Sequence, residues 1–289
     1  MAVLYKNLGG GRRISTIVFA GSHDASITSG NSNAQTQDLN IGQQAAAGVR
    51  LFDLRILAEG TESGGMSLKG YHGSASKSRT AHVASSHTHG THDIKYSKTM
   101  NLGTTGEKLS TMLTQAKEFV TATDEFLILK FDKCKNWNLI AQYCTSILGD
   151  TIYKSVDGQD FGDLSLDELA GKVVCVFSHS GLTEITGLDH RDGILGFRNL
   201  NGKDGITSYS AGYPGLQYFG KGGTKVRNVL STKNMKMTEN EKKQRKLMAK
   251  MAVGNSENAP NVLGMMYWTS TGLNSSIRKR NNKMWGNSG

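Results

Sequence analysis

Residues 14–24 read ISTIVFAGSHD, an apolar, β-branched run that breaks at Gly21-Ser22 and ends on His23-Asp24. Branched side chains suit a pleated, half-buried surface. The abrupt change to glycine, serine and charge marks the end of a strand. The expectation is a buried strand over Ile14–Ala20 with an imidazole at its carboxyl end. In parallel α/β sheets that end is where ligands and catalytic groups collect, and an imidazole exchanges a proton near neutral pH.

Outward from this stretch, Gln35–Gly48 carries apolar Leu39, Ile41 and Ala45–Ala47 and predicts a helix closing at Gly48. Val49–Ile56, VRLFDLRI, predicts the next strand. Side chains two apart share a face, so Asp53 and Arg55 point together and away from Phe52 and Leu54. A carboxylate and a guanidinium placed so can orient a histidine and clamp a phosphate. Met66–Gly73, MSLKGYHG, predicts a third strand bearing His72, able to pair beside VRLFDLRI.

Downstream, Leu109, Leu113, Ala116 and Val120 recur at helical spacing within Glu107–Thr123. Strands are expected at Phe126–Phe131, Thr151–Lys154, Lys172–Phe177 and Val262–Thr269, and helices at Trp137–Leu148 and Ser165–Ala170. Thr238-Glu239-Asn240-Glu241 has capping-box spacing and opens a charged helix to about Ala252. Residues 74–104 lack periodicity and read as a long loop, and 179–224 is glycine-rich without a clear pattern. Strands alternating with helices predict an α/β fold with a parallel sheet or barrel. With two prolines, dispersed glycines and no linker, residues 1–289 read as one domain.

The net charge of +10 favours anionic partners, such as an acidic membrane surface. The charged helix around Lys242–Lys250 and the tail Arg278–Lys283 read as solvated faces that an anionic headgroup could attract. Few aromatics interleave with them, so a nucleic-acid stacking surface is not expected. Cys134, Cys144 and Cys175 have no metal-ligand spacing and read as reduced thiols. His82, His87, His89 and His92, with Asp93, lack the fixed spacing of a preorganised metal site and read as a polar loop. No run approaches the roughly 20 apolar residues of a membrane span. The N-terminus reverses the basic-then-apolar order of a secretory signal. Such a chain is expected in the cytoplasm, exported by a non-classical route, or trimmed.

The ordered set GSHD, GVRLFDLR and YHG resembles the X region of phosphatidylinositol-specific phospholipases C. LSTMLTQAKEFV with EFLILKFDK, and then GKVVCVFSHSG, continue the resemblance, which covers residues 14–181. It implies an irregular TIM-like barrel and a phosphodiesterase. His23 would deprotonate the inositol 2-hydroxyl, which attacks the adjacent phosphorus. His72 would protonate the departing oxygen, giving a cyclic phosphate first. Asp24 and Asp53 fall on acidic positions of the family. Arg55 matches the metal-independent bacterial members, so no cofactor is expected. Asp132 stands where those members carry a base, leaving Asp24, Asp53 and Asp132 as an alternative oxygen-ligand set for calcium, against which Arg55 argues. Asp132 and His179 are expected to touch substrate; Ser178-His179 replaces an expected arginine, and Tyr267-Trp268-Thr269 an expected Asp region. His89, also followed by glycine, competes with His72 for the acid role; the strand context favours His72. The alternatives are a metal-assisted phosphodiesterase on another headgroup, and a non-catalytic protein binding anionic lipid or nucleic acid. The oligomeric state is open.

Overall fold

The computed structural model describes residues 2–30, 35–61, 65–72, 75–83, 92–99, 104–202, 205–221, 224–226, 238–239, 242–249, 262–267 and 270–272. The early strands are β1 (Ala20–Ser22), β2 (Val49–Leu54), β3 (Ile56–Thr61), β4 (Gly65–His72), β5 (Ala75–Val83), β6 (His92–Thr99) and β7 (Thr104–Lys108). They are followed by β8 (Leu127–Phe131), β9 (Val173–Phe177), β10 (Ile194–Asn199), β11 (Gly215–Lys221), β12 (Thr224–Val226), β13 (Leu263–Met266) and β14 (Ser270–Gly272). The helices are α1 (Ile41–Ala46), α2 (Leu109–Thr123), α3 (Trp137–Leu148) and α4 (His179–Leu182).

Seven strands form one parallel sheet in the order β1-β2-β8-β9-β10-β11-β13. The sheet curls: the His23 ring, just past β1, meets the Tyr267 ring, just past β13, edge to face with centroids 5.0 Å apart. The two outer strands therefore approach each other at their carboxyl ends. Alternation divides the side chains between two cores. Leu51, Ile128, Val174, Leu195, Leu216 and Leu263 fill the concave side. Phe52, Leu129, Cys175 and Phe177 face outward and pack under α1, α2 and α3. Replacing Phe177 with Ala would cost about 3–5 kcal/mol, the usual loss for a buried aromatic.

The opening stretch departs from its expected strand. Ile14–Thr16 is a 3-10 turn, and Val18 is 96 % exposed. The reason is the lack of a partner: the ladder starts where Ala20 meets Val49. The helix expected over Gln35–Gly48 is only Ile41–Ala46, started by a capping box in which Asn40 accepts from the Gln43 amide and Gln43 accepts from the Asn40 amide.

VRLFDLRI ends its ladder to β8 at Leu54, and β3 leaves to pair with β4. MSLKGYHG therefore meets only the end of VRLFDLRI, with Ile56 opposite Gly70, and is the centre of an antiparallel annex, β3-β4-β7. Residues 75–99, expected within a loop, contain the antiparallel pair β5 and β6. His82 and His92 fall on these strands, while His87 and His89 lie outside the described residues. Thr151–Lys154 contributes one bridge, Ile152 to Val173, and Ser165–Ala170 one bridge, Ser165 to Arg13, followed by turns. Residues 242–249 are helical, as the capping box anticipates. Trp268, Thr269 and the basic tail lie outside the described residues.

Glycine docks the annex onto the sheet. A Cβ on Gly70 would lie 2.0 Å from Ser26 Oγ, and one on Gly106 2.1 Å from the Ser26 carbonyl oxygen. The Glu107 amide donates to that carbonyl at 3.0 Å. These close approaches press β4 and β7 against the loop that follows His23. The opposite end of the sheet is closed by Arg50 and Glu125, both buried and 3.1 Å apart. The N-terminal segment seals them: Arg50 donates to the Val3 carbonyl, and the Lys6 amide donates to Glu125.

Candidate active site

The concave side of the sheet changes character along the strands. Along β2 and just past it the inward series is Leu51, Asp53, then Arg55; along β8 and just past it the series is Ile128, Lys130, then Asp132. The alternation that buries leucine and isoleucine deep in the sheet thus lifts charged groups toward its carboxyl end. Asp53 and Lys130 are register partners on neighbouring strands. The Lys130 ammonium sits 2.8 Å from Asp53 Oδ1 and 3.6 Å from Asp132 Oδ2, with its side chain only 1 % exposed. It also lies over the Phe197 ring, 4.5 Å from the centroid.

Asp53 uses its other oxygen for His23: Oδ2 accepts from Nδ1 at 2.7 Å. An ionised carboxylate can only accept, so the ring hydrogen is assigned to Nδ1, leaving Nε2 with a lone pair. His72 repeats the pattern with Asp24, its Nδ1 donating to Oδ2 at 2.8 Å. That same Asp24 oxygen lies 3.5 Å from His23 Nε2. One carboxylate oxygen is therefore shared between the two imidazoles. Arg55 closes the group, with Nε 3.2 Å from Asp24 Oδ1. The rings of His23 and His72 remain about a quarter exposed, while Asp24 and Asp53 are buried.

The backbone around Asp24 is held against its preference. Asp24 has φ +48°, the left-handed region. Thr36 Oγ1 donates to the Asp24 carbonyl at 2.7 Å, Gln37 Nε2 to the His23 carbonyl at 3.0 Å and Gln44 Nε2 to the Ala25 carbonyl at 2.9 Å. On the annex side, the Tyr71 amide donates to the Arg55 carbonyl, and the Tyr71 hydroxyl to that of Lys133. Both histidines thus stand on pinned segments.

Burial alone would push both aspartates up. For Asp53, the Lys130 charge and the His23 hydrogen bond override it and hold the carboxyl well below its ordinary range. For Asp24, the His72 hydrogen bond and the charges of His23, Arg55 and His72 outweigh burial and lower the carboxyl. Burial would also discharge Lys130, but the charges of Asp53 and Asp132 keep it protonated. Burial and the Asp53 charge raise the Tyr267 hydroxyl, which therefore stays neutral.

The structure brings together His23, Asp24, Asp53, Arg55 and His72, with Asp132 reaching the group through Lys130. His179 stands apart as the exposed first residue of α4, whose cap is Ser178. The alternative calcium set does not fit as built: Arg55 meets Asp24, and Lys130 lies against both Asp53 and Asp132. Lys130 is a part of the site that sequence reasoning missed. A signal for Lys130 existed: FLILKF has one charge in an otherwise apolar strand, and VRLFDLRI offers a carboxylate for it. The sequence marks Tyr267 only as standing where the resemblance expects an Asp region, and its contact with His23 was not foreseen.

No protein-family model matches the chain, and no curated protein does. Among solved structures, it is similar to two phospholipase C structures, S. officinalis PLC21 and L. pealei PLC21. Identity is 14 % for the first and 12 % for the second, each with a TM-score of 0.44. Each match covers 93 % of this chain and 32 % of the other, so this chain spans about a third of their length.

Proposed function

We propose that this chain is a phosphodiesterase of the phospholipase C kind, cleaving a phosphoinositide-type phosphodiester by internal transfer. The observation that carries the reading is the pair of imidazoles, each oriented through Nδ1 by its own carboxylate, with Asp24 Oδ2 between them. Two such groups can serve as general base and general acid across one phosphorus.

In this reading His23 Nε2 accepts the proton of a hydroxyl vicinal to the phosphoester. The Asp24 carboxylate lies 3.5 Å from that nitrogen. The hydroxyl oxygen bonds to phosphorus and the ester bond to the leaving oxygen breaks. His72, with Nδ1 on Asp24, gives that oxygen its proton from Nε2. Arg55 supplies a fixed positive charge for the phosphoryl oxygens as negative charge builds on them. The product is a cyclic phosphate, which water opens when the histidines exchange roles. A phospholipid substrate presented on an anionic surface agrees with the net charge of +10.

The test is cleavage of phosphatidylinositol vesicles followed by phosphorus NMR, with and without a chelator. A cyclic phosphate signal that survives chelation is the expected result. Absence of cleavage across a panel of phosphodiesters would reject the reading, and loss in chelator with recovery in calcium would reject its metal-free form.

A further inference from the structure

The buried Lys130 has no part in the proton transfers just described, yet it is the deepest charge of the group. Its ammonium holds Asp53 Oδ1 at 2.8 Å while His23 holds Oδ2 at 2.7 Å. The three groups form one chain, cation to carboxylate to imidazole, running up the concave side of the sheet from β8 to β2 to the end of β1. At 1 % exposure, with the Phe197 ring against it, Lys130 lies below the ring nitrogen that would meet substrate.

We propose that Lys130 is a positioning residue for His23: by fixing one oxygen of Asp53, it forces the other to hold the ring with Nε2 free for the proton. The inference rests on the phosphodiesterase reading for its kinetic arm only. Among the described residues, the charged and titratable groups facing these three side chains are consistent with it. His23 is faced by Asp53 from β2, by Asp24 from its own loop and by Tyr267 from the end of β13. Lys130 is faced by Asp53, Asp132, Tyr267 and Tyr218. Without Lys130, Asp53 would be a buried carboxylate with one oxygen lacking its cation. It would then compete for the proton that His23 must carry, or turn to find another donor.

The experiment compares Lys130→Met, Asp53→Asn and the double variant, which removes both charges and so strands no ion in the core. Lys130→Met is expected to lower kcat on the order of tenfold to a hundredfold with little change in KM, and to move the acidic limb of the rate profile to higher pH. Asp53→Asn and the double variant should have equal rates, because Lys130 acts only through Asp53. A double variant slower than Asp53→Asn by the full Lys130→Met factor, or a Lys130→Met loss carried by KM, would overturn the proposal in favour of direct substrate contact. Nitrogen NMR of the His23 ring, assigned with His23→Gln, reads the same coupling with no substrate present. Native protein should show hydrogen at Nδ1, and Lys130→Met should shift the ring's titration upward; an unchanged tautomer and titration would contradict the role whatever the substrate proves to be.

Discussion

His23 and His72 each donate Nδ1 to an aspartate that a cation backs, but the two arrangements stand on different scaffolds. His23, Asp53 and Lys130 belong to the parallel sheet, with both charges sealed among inward-facing side chains. His72 ends a strand of the antiparallel annex, and its Asp24 and Arg55 come from elsewhere: a pinned turn and the residue between β2 and β3. The first is fixed by strand register. The second depends on how closely the annex docks. Rigidity at His23 is therefore a property of the sheet, and rigidity at His72 a property of an interface between two sheets.

The largest effects should come from the rings themselves. His23→Ala and His72→Ala should each lose roughly a hundredfold to ten-thousandfold in cleavage of a natural lipid, the usual range for general acid–base groups. A loss confined to one of them, measured by steady-state kinetics, would break the symmetry of the comparison. The two scaffolds should then separate on perturbation of the annex. Gly70→Ala forces a Cβ toward Ser26 Oγ and should destabilise by about 1–3 kcal/mol, the usual cost of overpacking. It should lower kcat through His72 while leaving the His23 ring titration in place. Chemical denaturation and ring NMR on the same variant check both parts.

At the far end of the sheet, Arg50→Ala should cost about 3–5 kcal/mol in a denaturation experiment, because Glu125 would be left buried and unpaired. It should not move the pH profile of the folded protein's activity. Acid stability sharpens the picture further. Asp53 and Asp24 are held below their ordinary range in the fold. Their stabilisation is therefore complete above about pH 4 and is lost as pH falls toward their folded values. Asp53→Asn should flatten this acid-side slope in a pH series of unfolding midpoints. The smallest effect is expected at His89→Ala, within about twofold of native rate, since His72 already supplies the second imidazole beside Asp24 and Arg55.

The parts legible in the sequence are those that local pattern controls. Asp53 and Arg55 declared a shared direction through their two-residue spacing, and Leu109, Leu113, Ala116 and Val120 declared α2 through theirs. Cys175 sits in the apolar run VVCVF, a core pattern, and is buried. What escaped depends on partners distant in the chain. The apolar run before His23 looked like a strand but has no neighbour to pair with before Val49. MSLKGYHG was legible as a strand, yet its partners, β3 and β7, are set by where the backbone leaves the sheet at Arg55. Lys130 needed an inter-strand register, Asp53 opposite Lys130, that neither segment contains alone. Tyr267 needed the curl of the whole sheet to bring it to His23.

The most direct test of the two-histidine account uses one inositol phosphodiester with a natural alkoxide leaving group and a second with an activated phenolate leaving group. A phenolate leaves without protonation, so the acid becomes dispensable while the base does not. The account predicts that His72→Ala, crippled on the first substrate, recovers most of its rate on the second, and that His23→Ala recovers on neither. Equal recovery of both variants, or recovery of His23→Ala alone, would contradict it.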